Sequence, residues 1–456
     1  VEAGTGLTAQ AGEFIAATPS EAIPAMAHAV ARQGIIDCVG VLIAGAQEPG
    51  PGIVARLVQD HSGPDAAPLI PSGRRVSALD AALVNGTAAH VLDYDDVGLN
   101  AHPSTVLVPA LLAQGWSLGS TGRELLDAYV IGYEVWAWLS ALEPGALHDR
   151  GFHPTAVTGT LAAAAACARL KRLAPREATM ALAISTSLAS GTVANFGSMT
   201  KSFHAGRAAQ NGVLSARLAA EGFTATIDAL EHRSGWLNAH SPTGRAVLKQ
   251  DEPELGRIWR LPQTGLHLKR YPVCYGTHRA IDGALDLVAR HAIRPEEVAS
   301  VHVHTGEMQM LMLRNMRPQT GLEAKFSMPF AMAAALIVRR VGLDELKDVF
   351  VTRVDVQDLM TKVRCSTTPL RDPTWDVDYA PFDQVTITLN SGQVLEGAKV
   401  TRPRGSWQQP MNRDELRTKF MDCAQRQLSE AQASRLFDQL WGLESLGCTR
   451  ELALLT

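Results

Sequence analysis

Four short stretches of this chain concentrate the side chains that move protons or hold anions. The first is Asn85-Gly-Thr-Ala-Ala-His90-Val-Leu-Asp93-Tyr-Asp95-Asp96, which runs on to His102-Pro-Ser104. If a helix continues through Asp96, Asp93 and Asp96 share one face at i,i+3. Two close carboxylates raise the pKa of one of them, and partial burial adds to the effect, giving an acid or base that works near neutral pH. A polar helix end followed by a capping loop accounts for the same residues without chemistry. In the second stretch, Gly151-Phe-His153-Pro-Thr155, the proline is placed to open a helix and to hold His153 at its mouth. The partial positive charge and free N–H groups there suit a carboxylate, although a surface or capping histidine explains the spacing as well.

The third stretch, Thr200-Lys201-Ser-Phe-His204-Ala-Gly-Arg207, groups three basic side chains among small residues. Such a group can dock a polyanion and stabilise an enolate; a solvated helix start is the plain alternative. The fourth is Leu268-Lys269-Arg270-Tyr271-Pro-Val-Cys274-Tyr-Gly-Thr-His278, where the composition changes. Ligand clefts favour domain boundaries, and Arg270, Tyr271, Cys274 and His278 join His204 and Arg207 as candidate substrate contacts. A packed interdomain linker reads the same way. Cys274 with His278 lacks the third group that would orient a thiol nucleophile.

These stretches belong to a chain of 456 residues with net charge −4, 46% hydrophobic and 19% charged. The balance argues against nucleic acid or an anionic membrane as the main partner, so any positive field for an anionic substrate has to be local. The six cysteines are scattered, without a CxxC pair or a Cys/His cluster at zinc spacing, and are expected to be reduced thiols. No signal peptide and no uninterrupted apolar run of membrane length, roughly 18–20 residues, is visible. A soluble, cytoplasmic protein is expected.

Positioning falls to helices through the first half: Glu21–Leu42, Ser77–Leu92, Val106–Leu118, Gly122–Leu142, Thr155–Leu170, Pro175–Ala189 and His204–Glu221 carry helical periodicity between Gly, Ser and Pro punctuation. Alternation marks strands at Ser300–Thr305, Phe350–Val356 and Gln384–Leu389, the last continuing as a hairpin to Val400. Helices are expected at Arg279–Ala292 and Ser327–Val341. The fold class is mainly α: an all-α domain over 1–266, a smaller α+β lid over 267–404, and C-terminal helices over 405–456 that return to the first domain.

In their order along the chain these segments resemble the MmgE/PrpD family, together with EAKFSMPFAMAAAL (Glu323–Leu336) and RPRGSWQQPM (Arg402–Met411). The resemblance implies a homodimeric enzyme that needs neither metal nor organic cofactor and makes or quenches a carbanion beside a carboxylate. It implies a pocket of Asp93, His102, His153, Lys201 and Lys269, with the acid and a histidine handling protons and the lysines, helped by Arg270, holding carboxylates. The substrate is then a small polycarboxylate. The first expectation is a 2-methylcitrate-dehydratase-like lyase; epimerisation of an iminodisuccinate-type dicarboxylate and non-catalytic ligand binding are the alternatives. Three positions depart from the decarboxylase branch, which has Thr, His and Tyr where this chain has Val97, Cys274 and Phe330.

If Lys201 stabilises a forming enolate, Lys201→Ala should lower turnover by roughly 10²–10³-fold, the usual cost of one such donor, with an unchanged melting temperature. An unchanged rate would remove Lys201 from the site.

Overall fold

The computed structural model describes residues 6–142, 146–241, 255–375 and 379–454. The chain divides into two compact units, one formed by Val1–Leu266 with Arg413–Thr456, the other by His267–Asn412. Helices of eight or more residues are numbered here in chain order.

The first unit is helical. It contains α1 (Leu7–Ala17), α2 (Ala25–Gly45), α3 (Pro49–Leu57), α4 (Ala78–Val91), α5 (Ser104–Leu118), α6 (Gly122–Leu142), α7 (Pro154–Leu170), α8 (Pro175–Thr186) and α9 (Met199–Ala220). Pro49 does more than end the preceding helix: it opens α3, because its fixed φ and missing N–H suit a first helical turn. Helix α2 is long and apolar enough to cross a membrane, but 78% of its apolar window is buried within the protein. Ser77 caps α4 by accepting from Asp80 N at 3.1 Å, a contact worth about 1 kcal/mol. Asn85 then ties α4 to a small antiparallel pair, β1 (Ala66–Pro68) and β2 (Arg75–Ser77), accepting from Ile70 N and donating to Pro68 O.

Alanine and glycine let these helices approach closely. Ala162–Ala166 of α7 are fully buried. Where α4 crosses α9, a methyl on Gly206 would lie 2.2 Å from Leu83 O, and one on Gly86 would lie 2.7 Å from Gly206 Cα. The crossing brings the C-terminal end of α4 to the N-terminal turn of α9.

The second unit carries a four-stranded sheet in the order β4-β3-β5-β6. Strand β3 (Val298–Gly306) pairs parallel with β4 (Val363–Thr368) and antiparallel with β5 (Gln384–Leu389); β5 turns back into β6 (Val394–Glu396) with Ile387 opposite Leu395. Helices α10 (His278–His291) and α11 (Met328–Val338) contribute to its apolar core. The expected strand at Phe350–Val356 is instead the short helix Asp348–Val351 followed by α12 (Val354–Thr361). Its β-branched residues suggested alternation, but Val356, Leu359 and Met360 form the buried stripe, at i, i+3 and i+4. The chain then returns to the first unit through α13 (Arg413–Ala424) and α14 (Glu430–Trp441).

Gly206→Ala should force α4 and α9 apart and lower stability by about 1–3 kcal/mol, as overpacking does. Urea unfolding measures it, and a midpoint equal to wild type would show that the crossing tolerates a methyl.

Candidate active site

Helix α4 ends at Val91, and Asp93 takes a left-handed conformation with φ 53°, rare outside Gly but several-fold commoner for Asp and Asn. The chain therefore turns before the acidic run. The expected shared face of Asp93 and Asp96 does not form, and the carboxylates of Asp93, Asp95 and Asp96 reach three different sets of partners. Asp93 Oδ1 receives a hydrogen bond from Lys201 Nζ at 2.7 Å. Lys201 stands in the first turn of α9, and its ammonium lies 5.5 Å from the centre of the Phe196 ring.

Asp95 is fully buried between two imidazoles. His90 Nδ1 lies 3.1 Å from Oδ1 and His102 Nδ1 lies 2.6 Å from Oδ2. His102 Nδ1 is also 2.9 Å from Asp96 O, and its backbone N–H donates to Thr155 Oγ1 in the first turn of α7. A ring nitrogen facing a carboxylate and a carbonyl has only acceptors before it, so it carries the proton. In the neutral ring the lone pair is then left on Nε2. His90 is oriented in the same way, and its Nε2 is buried without a hydrogen-bond partner among the described residues. Burial works against the Asp95 charge, but His90 and His102 outweigh it and hold this carboxyl well below the usual range. Burial also pulls His90 down to about 4, against the opposing pull of Asp95.

His153 is the N-cap of α7, with Pro154 at the first helical position, as the sequence predicts. Its N–H donates to Gly191 O at 3.0 Å. Its Nδ1 lies 3.2 Å from His204 Nδ1, and its ring meets Phe196 edge-on at 4.8 Å and stacks on His90 at 6.0 Å. Burial, then the charges of His90 and Lys201, hold His153 well below the ordinary imidazole range. Burial followed by Lys201 lowers His204.

Asp96 points away from these rings. Ser104 N donates to its Oδ1 at 3.2 Å, and Ser104 Oγ bridges Oδ2 and Tyr129 OH at 2.7 Å each. Burial, with the charges of Asp95 and Asp37 added, pushes its carboxyl up to about 8 despite the Ser104 bonds. Beneath the loop, Lys419 from α13 pairs with Asp37 at 2.6 Å and donates to Tyr94 O at 2.9 Å.

The first unit thus gathers Asp93, His102, His153, Lys201 and His204. Arg207 is a correction: it is exposed, and its guanidinium donates to Gln210 Oε1 of its own helix instead of joining the cluster. In the second unit Lys269 is buried and Arg270 half-buried. Three further candidates there have local structural roles. Tyr271 OH donates to Asp282 at 2.6 Å, and His278 Nε2 to Val273 O at 3.2 Å. Cys274 belongs to the apolar core, as does Phe330, a setting that suits an inert thiol. The partners the sequence did not single out are Asp95 as orienting acid, Ser104 with Tyr129, and Asp37 with Lys419. The spacing of His90, Asp95 and His102 was the available signal.

The sequence has no Cys/His cluster at zinc spacing, but the fold brings ligand atoms of His90, Asp95 and His102 within 4.8 Å of one another. Both Nδ1 atoms carry protons toward Asp95, so a cation there would have to displace two hydrogen bonds and both protons. The donor set as arranged is a hydrogen-bonded triad.

Asp96 gives a pH signature. An acid whose folded pKa is raised from about 3.9 to about 8 binds more protons folded than unfolded across that range, so stability is full at low pH and falls as pH rises. Asp96→Asn should flatten the decline in melting temperature between about pH 5 and about pH 8. Parallel curves for the two proteins would show that Asp96 ionises normally.

Residues 9–248 match the MmgE/PrpD N-terminal domain and residues 271–443 the MmgE/PrpD C-terminal domain. The cis-aconitate decarboxylase of Mus musculus is 30% identical over 382 residues, covering 80% of this chain and 76% of its own. That of Homo sapiens is 29% identical with the same coverage, and that of Aspergillus terreus is 24% identical over 97% of this chain and 94% of its own. The chain belongs to the MmgE/PrpD family, as an enzyme of the lyase class.

Proposed function

We propose that this protein is a lyase of small tricarboxylates that works without metal or organic cofactor, with cis-aconitate as its leading candidate substrate. The observation that carries the reading is the convergence of the Asp93–Lys201 pair, His102 with its Nδ1 turned to Asp95 and its other ring nitrogen away from it, and a neutral His153.

Decarboxylation breaks the bond from carbon to one carboxylate; carbon dioxide leaves and the electron pair stays on carbon, conjugated with a remaining carboxylate. The Lys201 ammonium, held by Asp93, stabilises that charge as it develops. A neutral imidazole carrying an N–H then supplies the one proton that completes the product, and His153 is suited to it. The names of the mammalian and fungal relatives support this direction. Two of the three departures from the decarboxylase branch, Cys274 and Phe330, lie in the apolar core of the second unit.

A second reading, dehydration of a 2-methylcitrate-type hydroxy acid, is favoured by the third departure, buried Val97, which sets an aliphatic side chain next to Asp96. There His102 Nε2 would take the proton beside a carboxylate while an acid protonates the leaving hydroxide.

Incubating the enzyme with cis-aconitate, with 2-methylcitrate and with an amino- or iminodicarboxylate in deuterated water separates the readings. Carbon dioxide release with one deuterium in the product is the expected outcome. A new conjugated alkene without carbon dioxide would favour dehydration. Deuterium exchange into an amino or imino dicarboxylate without either would point to epimerisation, and no turnover on any of them would overturn the lyase reading.

A further inference from the structure

We propose that His204 is the proton inlet of this site, passing solvent protons to His153 across their shared Nδ1···Nδ1 hydrogen bond for delivery to the substrate carbon. The inference rests on the lyase reading and assigns His204 a task other than substrate contact.

Every other basic group in the cluster is tied to an acid: Lys201 to Asp93, and His90 and His102 to Asp95. The hydrogen bond of His153 Nδ1 runs instead to another imidazole nitrogen, His204 Nδ1, at 3.2 Å. Two Nδ1 atoms at that distance hold one proton between them, so one ring donates and the other accepts. His153 is 2% exposed and fixed by its N-cap position and its bond to Gly191 O, so with substrate over it during the chemical step it does not meet bulk water. His204 is 7% exposed, beside the segment 187–199, whose residues are all partly or fully exposed. That segment comes against the His204 ring at a glycine: a methyl on Gly191 would lie 3.3 Å from Nδ1. Burial favours the neutral form of both rings, and the charge of Lys201, one turn before His204 on α9 and paired with Asp93, works in the same direction, as do His90 and His102 on His153. Neutral rings exchange a proton by changing tautomer, without holding a cation in a buried site.

The step balances. The carbanion left by carbon dioxide takes the proton from His153 Nε2, His153 Nδ1 takes the shared proton from His204 Nδ1, and His204 Nε2 takes one from water. Each ring ends neutral with its tautomer exchanged, and the net change is one solvent proton consumed per carbon dioxide released. After the product leaves, water returns a proton to His153 Nε2 in step with the Nδ1 proton passing back to His204 Nδ1 and His204 Nε2 releasing one to solvent, which restores the starting tautomers.

The test uses the full-length enzyme. Nitrogen-15 NMR of the imidazoles in the resting protein should show one protonated and one bare Nδ1 for the pair His153 and His204; both bare would overturn the relay. His204→Gln keeps a polar side chain of similar size but cannot pass a proton, and should lower kcat on the order of 10²-fold, the low end of general-acid effects. KM and melting temperature should stay near wild type. His204→Ala should be equally slow and regain rate when imidazole is added. A merely structural His204 predicts near-normal kcat for His204→Gln and no rescue by imidazole, and either result overturns the proposal. If the wild-type enzyme turns over no tricarboxylate, the lyase reading fails on its own, while the NMR result still reports on the pair.

Discussion

A carboxylate with no access to water is the constraint around which this site is arranged. Asp95 is enclosed completely, and an isolated charge there would be too costly to keep. Two imidazole N–H groups and the turn that presents them make ionisation favourable. The consequence reaches past Asp95 itself. Because each Nδ1 is committed to the acid, each neutral ring keeps its lone pair on Nε2, and the tautomers need no other device to set them. The neighbouring Asp96 is driven the opposite way by the same dryness, so two adjacent aspartates end in opposite protonation states. This is the pattern expected where acids and bases are tuned by their surroundings.

Packing supplies the geometry that this electrostatic arrangement needs. Glycines at the α4–α9 crossing remove the side chains that would otherwise separate the helices. Asp93 at one helix end therefore meets Lys201 at the start of the other. Helix α7 contributes twice, through the His153 cap and through Thr155, which receives the His102 N–H. The left-handed turn at Asp93 is a strained position within the candidate site, over-determined here by the partners of Asp93, Asp95 and Asp96.

Much of this was legible in the sequence, for reasons that differ from residue to residue. Helix bounds such as Gly122–Leu142 followed from periodicity and punctuation, and His153 followed from the proline after it. Asp93, His102, Lys201 and His204 drew attention by their types and by the family resemblance, and the fold brings them together. The pairing of acids was not legible, because it depends on where α4 stops: one turn more would have placed Asp93 with Asp96. Arg207 looked like part of a cationic cluster only because distance along a helix says little about direction around it. Asp37 and Lys419 were out of reach for another reason. Each is an ordinary charged residue in its own helix, and only the fold reveals that they meet. In the second unit β4 was missed because its polar, half-buried residues carry no clean alternation.

The contact between Lys419 and the carbonyl of Tyr94 joins residues 325 positions apart. A ribosome adding about 5–20 residues per second delivers the lysine well after the acidic loop has emerged. For that interval Asp37 waits in a helix built to be dry, without its cation, and the loop above it lacks its lower support. The early part of the chain can form its helices, since their backbone hydrogen bonds are local. It cannot finish the floor under Asp93, Asp95 and Asp96. Assembly of the acidic loop is therefore tied to synthesis of nearly the whole polypeptide, and a chain stalled before α13 would carry Asp93, Asp95 and Asp96 without the support that fixes them.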